Sequence, residues 1–393
     1  MTDNDIVTAL KEDFKLFLQA LWDQLDLPQP TRAQYAIADY LQNGPKRLQI
    51  QAFRGVGKSW ITGAFVLWTL FNDAERKIMI ISASKERADN MSIFLQKLII
   101  ETPWLSYLQP KSDESRWSRI SFDVNCSPHQ APSVKSVGIT GQLTGSRADL
   151  IVLDDVEVPG NSMTEFMREK LLQLCTEAES ILTPKDDSRI MYLGTPQTTF
   201  TVYRKLAERS YRPFVWPSRY PRKAKLSQYE GLLAPQIQED LDMGADEWSV
   251  TDPDRFSEDD LIEREASMGR SNYMLQFQLD TSLSDAEKFP LKMADLVVTS
   301  VNPTTAPDNV VWCSDPKKRY QRRPYGGTAR GLLLLTHAIT RRMGSIFRNH
   351  LFRRPLWKGY RRDCSGLLKP TQWLSIPTRN ESLQRRLQRQ YTA

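Results

Sequence analysis

The sequence has few of the residues that build metal centres and disulfide frameworks. Its 393 residues include three histidines and four cysteines, and the cysteines lie far apart without a Cys-x-x-Cys pair. This pattern argues against a zinc ribbon and against a disulfide scaffold, and a reducing compartment is expected. No run approaches the ~18 apolar residues of a membrane span. The acidic N-terminus, with Asp3 and Asp5, is unlike a secretory signal, so we expect no membrane association.

Acidic residues are scarce in the C-terminal part of the chain. From Lys317 onward there are 19 basic residues but only two acidic ones, out of totals of 53 and 47. The tail therefore has a net charge of +17, whereas the remaining body has a net charge of −11. A charge asymmetry of this size predicts a separate segment with a different role or origin.

Apolar patterns along the chain predict an α/β fold. Strand-like runs alternate with helical patterns of roughly 10–20 residues, and this alternation is typical of a mainly parallel central sheet. Residues 6–24 predict a single amphipathic helix, because their apolar side chains recur at helical spacing. The main predicted strands are residues 47–52, 77–82, 134–139, 149–155 and 189–195.

Changes in composition predict three regions. Residues 1–210 contain the alternating strands and helices and are expected to form one domain. Residues 211–316 are expected to form a small, mostly helical connector subdomain, although their first part, 211–230, is rich in proline and aromatic residues and predicts irregular structure. Residues 317–393 form the basic tail, which we expect to be irregular.

The strongest motif is AFRGVGKS, residues 52–59, between a predicted strand and a predicted helix. It departs from the P-loop pattern only in having alanine at the first glycine position. Gly55 and Gly57 allow backbone N–H groups to wrap around phosphates. Lys58 would reach the terminal phosphates of ATP, and the Ser59 hydroxyl would be a ligand of Mg²⁺. The alternative is a glycine-rich turn that merely caps a helix, but the strand and helix context favours ATP binding.

A second motif, LIVLDDVE at residues 150–157, supplies the carboxylates that ATP hydrolysis needs. Its four apolar residues predict a buried strand, and Asp154 at the end of that strand would hold the Mg²⁺ water shell. Asp155 or Glu157 would orient or deprotonate the attacking water, and the spacing does not decide between them. The alternative is a buried strand that simply ends in solvated acids.

Four further residues are candidates for the same site. Arg54, inside the P-loop, is expected to stabilise transition-state charge on the γ-phosphate. Thr195 and Gln197 follow the next strand, where ligands of such sheets bind, and are expected to sense that phosphate. Gln34 lies upstream, where an amide can read the adenine edge. The alternatives are an exposed loop arginine, a proline-containing turn and a glutamine on a helix surface.

Together and in this order, the motifs resemble those of the large subunit of phage terminases, especially the DNA maturase B proteins of short-tailed phages. The resemblance covers about residues 20–316 and rests on Gln34, Arg54 with Lys58 and Ser59, Asp154 with Asp155, and Gly194-Thr195-Pro196.

This resemblance implies a P-loop ATPase of the RecA/ASCE type that uses ATP and Mg²⁺ to move double-stranded DNA into a procapsid. The implied partners are DNA, a small terminase subunit and the portal protein. The working form would be a homo-oligomeric ring in the host cytoplasm.

The tail departs from the family, whose members carry a C-terminal nuclease domain. After Pro316 the only acidic residues are Asp363 and Glu381, whereas two-metal cleavage of DNA needs several clustered carboxylates. We therefore expect endonuclease activity to be absent from this chain. The abrupt change to 15 arginines and four lysines predicts out-of-frame translation after a frameshift. The alternative is a basic arm that evolved to bind DNA phosphates.

Two other functions remain compatible with the motifs. A helicase or translocase with two RecA-like domains would need a second such domain, and residues 211–393 show no pattern for one. A truncated product, or a nucleic-acid-binding protein with a vestigial ATP site, would keep the motifs without turnover. DNA-stimulated ATP hydrolysis distinguishes these possibilities.

Overall fold

The computed structural model describes residues 3–111, 115–143, 145–229 and 231–282, together with the backbone of two short strands further along the chain. The chain divides into two units, Met1–Asp285 and Ala286–Ala393.

A seven-stranded sheet is the centre of the first unit. Its strands are β1 (Arg47–Ala52), β2 (Ile78–Ser82), β3 (Ser121–Phe122), β4 (Val134–Gly138), β5 (Leu150–Asp154), β6 (Arg189–Gly194) and β7 (Arg212–Trp216). Their order across the sheet is β3-β4-β2-β5-β6-β1-β7, and only the β3–β4 pair is antiparallel. The mainly parallel α/β fold predicted from the sequence is therefore confirmed.

Eleven helices are described in the first unit, together with short 3₁₀ helices at Pro103–Leu108 and Lys223–Gln228. The helices are α1 (Asp3–Glu12), α2 (Phe14–Gln24), α3 (Arg32–Asn43), α4 (Lys58–Asn72), α5 (Lys85–Glu101), α6 (Pro159–Ser162), α7 (Glu165–Ile181), α8 (Val202–Ala207), α9 (Pro235–Asp242), α10 (Glu258–Met268) and α11 (Arg270–Gln276). No helix in the described part of the chain combines the length and apolarity that a membrane span requires.

Helices cover both faces of the sheet, which is why its strands read as continuous apolar runs. Successive side chains of β5 point to opposite faces. Leu150 and Val152 join a core cluster with the buried faces of α2, α3, α4 and α5. Ile151 and Leu153 join a second cluster with α7 and α8. The strand that ends in Asp154 is thus fixed by packing on both sides.

The strand register brings the ends of four strands to one edge of the sheet. Ser82 at the end of β2 pairs with Asp154, and Asp154 pairs with Leu193 of β6. Gly194, the last residue of β6, pairs with Gln51 near the end of β1. Because these neighbours are parallel, the loops that follow them emerge side by side.

The helix predicted over residues 6–24 is two helices in the structure. The break comes at Asp13, whose side chain accepts a hydrogen bond from the N–H of Lys15 and thereby caps α2. An N-cap residue has extended backbone geometry, so it ends one helix as it begins the next. The continuous apolar spacing concealed this interruption.

The segment predicted to be irregular, residues 211–230, contains the edge strand β7, which pairs with β1 along Leu48–Ala52. Proline at position 213 argued against a strand, but an edge strand tolerates a residue without a donor. The first residues of the predicted connector therefore belong to the main sheet. Helices α9, α10 and α11 lie in the described part of the predicted connector that follows β7.

In the second unit, β8 (Val297–Ser300) pairs antiparallel with β9 (Arg330–Leu333). The rest of the basic tail, including Asp363 and Glu381, lies outside the described residues. The predictions of a frameshift, of a DNA-binding arm and of a missing nuclease site all fall on that part of the chain.

Candidate active site

The P-loop connects the end of β1 to the start of α4, and its two glycines have left-handed backbone angles. Gly55 has φ 95° and Gly57 has φ 96°, a region that residues with a Cβ rarely adopt. Space is also short, because a Cβ would lie 2.8 Å from the Phe256 ring at Gly55 and 3.0 Å from Gln34 Nε2 at Gly57. Backbone conformation and close packing therefore both require glycine.

Lys58 is the first residue of α4 and is buried. Its Nζ donates hydrogen bonds to the carbonyl oxygens of Ala52, at 2.6 Å, and Phe53, at 3.3 Å. Burial lowers the pKa of Lys58, while the carboxylates of Asp155 and Asp154 oppose that shift. The ammonium group is thus held over the P-loop, within the field of two acids that follow β5.

Ser59 and Asp154 join the P-loop to the end of β5. The Ser59 hydroxyl donates to Asp154 Oδ2 at 3.1 Å, across 95 positions in the sequence. The other carboxylate oxygen, Oδ1, is buried and has no hydrogen-bond partner among the described residues. Burial and the neighbouring charge of Asp155 raise the pKa of Asp154 to about 7.

This pair fits a magnesium ion. Hydroxyl and carboxylate oxygens are the ligands that Mg²⁺ prefers, and a cation would relieve the cost of the unpartnered Oδ1. No group of three or more histidine, cysteine, aspartate or glutamate side chains is placed to hold a metal within the described ranges. The remaining ligands would therefore be phosphate and water oxygens, as is usual for Mg²⁺.

Asp155 has a left-handed backbone, with φ 46°. Its N–H donates to the carbonyl oxygen of Leu193 at 2.8 Å, which ties the turn after β5 to the end of β6. A residue other than glycine in this conformation costs about 1–3 kcal/mol, and such strain is concentrated at functional sites. The side chain of Asp155 is partly exposed.

Glu157 is in a different environment, with only 1% of its surface exposed. Its Oε1 accepts from the N–H of Gln197 at 2.8 Å. Its Oε2 accepts from the hydroxyl of Thr201 at 2.7 Å and from the N–H of Val202 at 2.6 Å. Burial raises the pKa of Glu157, and the three hydrogen bonds oppose that shift. Both oxygens are therefore engaged by the protein itself.

Thr195 and Gln197 lie directly after β6, at the same edge of the sheet as Asp154. Both are largely buried, and Gln197 Nε2 donates to the carbonyl oxygen of Thr195 at 2.9 Å. The structure thus brings the two predicted phosphate sensors to the carboxyl end of the sheet. Their predicted contact with the γ-phosphate stays a prediction.

Gln34 uses both ends of its amide within the protein. Its Oε1 accepts from the N–H of Thr31 at 2.9 Å, completing the capping box of α3. Its Nε2 donates to the carbonyl oxygen of Val56 at 2.8 Å. The side chain therefore braces the P-loop in this structure, and its predicted reading of the adenine edge stays a prediction.

Arg54 lies in the P-loop with its side chain exposed. Its Nη1 is 3.4 Å from Gln276 Oε1, and its backbone N–H donates to the carbonyl oxygen of Gln276 at 2.9 Å. An exposed, weakly held guanidinium is free to move towards a phosphate, which agrees with the predicted role of Arg54 without testing it.

Several residues that contact the P-loop were not predicted from the sequence. Arg255 Nε donates to the carbonyl oxygen of Gly55 at 2.8 Å, and the Phe256 ring packs against Gly55 and Phe53. Both follow β1 by some 200 positions and carry no motif that would have revealed them. Arg87 is also close enough to lower the pKa of Asp154, and its position shortly after β2 was a usable signal.

One curated protein shows clear sequence similarity to the chain. The protein described as the terminase large subunit of Enterobacteria phage T3 is 48% identical over 328 residues, which are 82% of this chain and 56% of that protein. The chain thus spans a little more than half the length of the relative it matches. No protein-family model matches the chain.

Several solved structures show a more distant likeness. The HK97 bacteriophage large terminase is 15% identical, with 65% of this chain and 51% of that chain covered and a TM-score of 0.39. The large terminase ATPase domain of Thermus phage P74-26 is 15% identical, with coverages of 66% and 96% and a TM-score of 0.36. The DEAD-box helicase Mss116 is 15% identical, with coverages of 50% and 41% and a TM-score of 0.36.

Proposed function

The chain belongs to the terminase large subunit family, and from that premise we propose that it is an ATP-hydrolysing motor subunit for packaging viral DNA. The observation that carries the proposal is the hydrogen bond between Ser59 and Asp154. It joins the end of the P-loop to the end of the acidic strand, so phosphate-binding and metal-binding groups meet at one point. This is the arrangement that phosphoryl transfer requires.

Binding of ATP would use the P-loop and the start of α4. The N–H groups around Gly55 and Gly57 would surround the phosphates, and Lys58 would exchange its two carbonyl acceptors for phosphate oxygens. Ser59 and Asp154 would hold Mg²⁺, which when bound neutralises charge on the β- and γ-phosphates.

Hydrolysis would depend on Asp155 as the general base. The proposal is supported by the contrast with Glu157, whose two oxygens already accept three hydrogen bonds from the protein. A base needs an oxygen within reach of the attacking water. Arg54 would stabilise the charge that develops on the γ-phosphate, as its place in the P-loop and its exposure suggest.

Coupling to DNA would begin at Thr195 and Gln197, which follow β6 beside the two acids. The partners expected of such a motor are double-stranded DNA, a small terminase subunit and the portal protein. It would work as a homo-oligomeric ring in the host cytoplasm. These assignments rest on family membership and on a relative of which the chain covers 56%.

The proposal is tested by ATP turnover of the full chain with and without double-stranded DNA. Lys58→Ala should abolish turnover, because it removes the lysine that reaches the β- and γ-phosphates. Asp155→Asn should retain nucleotide binding and lose about 10²-fold or more in turnover. Lys97→Ala, at an exposed position of α5, is the matched control and should hydrolyse ATP like the parent.

Near-parental turnover by Lys58→Ala would show that the proposed site is wrong. A parent that binds DNA but never hydrolyses ATP would instead favour a vestigial ATP site.

A further inference from the structure

The buried carboxylate of Glu157 joins two segments that are distant in the sequence. Glu157 follows β5 by three positions, whereas its three donors belong to the segment between β6 and the first residue of α8. Residues 195–202, which end at the first residue of α8, are here called the β6–α8 loop. The same loop contains both predicted phosphate sensors.

The contacts of Glu157 are those of an ionised acceptor. Three donors at 2.6–2.8 Å approach the two oxygens, and none of them requires a proton on the carboxyl group. Hydrogen bonds to a charged group are roughly twice as strong as neutral ones. The Val202 N–H also lies at the start of α8, where a negative charge is favourable. Removing the charge would therefore release the loop rather than leave it in place.

A further contact ties the chain to the end of β5 just before the β6–α8 loop begins. Asp155 donates its N–H to Leu193, just before the loop. The chain is thus held against the end of β5 both just before the loop, at Leu193, and within it, by Glu157.

We propose that Glu157 is a positioning residue that holds the β6–α8 loop against the end of β5, so that changes around Asp154 and Asp155 are passed to α8. The proposal rests on the proposed ATPase function. It gives Glu157 a role in coupling nucleotide state to the fold, and it leaves proton transfer to Asp155.

A double-mutant cycle tests this role from both ends of one contact. Glu157→Gln replaces an acceptor oxygen with a donor. Thr201→Val leaves the glutamate intact but removes a donor of the loop, together with the long hydrogen bond by which the same hydroxyl caps α8. We expect each variant to bind ATP within about threefold of the parent, and each to lower the single-turnover rate about tenfold. The double variant should be no slower than the slower single variant, because both changes break the same link.

The control is Glu169→Gln, an identical change at an exposed position of α7, which should turn over like the parent. A loss of about 10²-fold or more in Glu157→Gln, with Thr201→Val unaffected and the effects additive, would make Glu157 the base and overturn the proposal. Parental rates in both variants would overturn it as well. If Glu157→Gln does not fold, Thr201→Val still tests the link.

Amide hydrogen exchange gives a readout that does not depend on turnover. In the parent without nucleotide, the amides of Gln197 and Val202 should be protected, and Glu157→Gln should expose both. A non-hydrolysable ATP analogue should change exchange across the β6–α8 loop in the parent but not in Glu157→Gln. An equal change in both proteins would overturn the coupling role. A parent that shows the protection but no ATP turnover would instead count against the proposed function alone.

Discussion

The carboxyl group of Asp154 is in an environment that disfavours its charged form, although the proposed function needs that form. Its Oδ1 atom is buried and has no donor among the residues that the structure describes, and Asp155 adds a like charge beside it. Both effects favour the protonated form in the folded chain without ligand. A cation at this point would reverse that preference. The unfavourable environment of the ionised carboxylate would therefore favour binding of a metal ion.

This residue predicts a pH dependence of stability. The pKa of Asp154 is about 7 in the folded chain, against about 4 for an unfolded aspartate. The folded state therefore binds the proton more tightly. The contribution of Asp154 to the unfolding free energy is fully present below pH ~4 and is lost as the pH rises through ~7. The Asp154→Asn variant has no titratable group at this position, so its unfolding free energy lacks this contribution at every pH.

Urea denaturation of both proteins between pH 5 and 8, without Mg²⁺ and nucleotide, measures the effect. We expect the parent to lose stability relative to Asp154→Asn as the pH rises. Parallel stability curves would contradict the raised pKa. Addition of Mg²⁺ with nucleotide should stabilise the parent and reduce the difference at neutral pH, since ligands that bind the folded state stabilise it.

Several residues of the candidate site could be proposed from the sequence because they belong to short local motifs. Lys58 and Ser59 are recognisable within one motif, and Asp154 within another, so no knowledge of tertiary contacts was needed. The hydrogen bonds of Glu157 could not be predicted, because its partners lie 40 to 45 positions away. For the same reason the contact of Arg255 with Gly55 was missed.

At the scale of elements, α3 is fastened to the rest of the fold at its first turn. Thr31 caps the helix by accepting from the N–H of Gln34, and its hydroxyl donates to Asp252 Oδ2 at 2.8 Å. Asp252 is buried, and that burial raises its pKa. The Thr31 hydroxyl thus hydrogen-bonds both the first turn of α3 and a buried carboxylate. That carboxylate, Asp252, lies three positions before Arg255, which contacts the P-loop.

Thr31→Ala should therefore be more costly than the loss of an ordinary helix cap. We expect it to lower the unfolding free energy by about 2–3 kcal/mol, because it removes the cap and leaves Asp252 without this donor. Thr164→Ala, at the exposed cap of α7, is the matched control and should cost about 1 kcal/mol. Urea denaturation at neutral pH measures both. Equal losses would show that the Asp252 contact contributes nothing.

The strands were predicted well where a continuous apolar run contains no residue typical of turns. β1, β5 and β6 coincide closely with their predicted ranges, since each is buried and bounded by polar residues. β7 was missed because it contains Pro213 and owes its strand conformation to pairing with β1. The interruption at Asp13 was missed because both flanking helices present apolar residues to the same core.

At the scale of the whole molecule, charge is divided unequally along the chain. Residues 317–393 carry a net charge of +17, while the remainder carries −11. The candidate site residues, including Arg255 and Phe256 beside the P-loop, all precede residue 317, so nothing proposed for ATP hydrolysis involves the tail. The net positive charge of residues 317–393 favours contact with DNA phosphates, whatever the base sequence of the DNA.

Deletion of residues 317–393 should therefore separate two activities. ATP turnover without DNA should stay within about twofold of the full chain, whereas affinity for non-specific DNA should fall and lose most of its salt dependence. Fluorescence anisotropy with labelled DNA at two salt concentrations measures the second effect. A full-length variant with six tail arginines changed to glutamine is the control and should reproduce the loss of affinity. Unchanged DNA affinity in the deletion would show that the body, despite its negative charge, binds DNA.

The strand order also constrains how the chain folds during synthesis. β1 is the first strand to be made, yet both its neighbours in the sheet, β6 and β7, begin only at Arg189 and Arg212. At roughly 5–20 residues per second, a ribosome needs on the order of ten seconds to reach them. Throughout that interval Leu48, Ile50 and the apolar face of α4 lack the strands they will pack beside. The nascent chain therefore exposes an apolar segment to which chaperones can bind before the strands that flank the P-loop strand have been made.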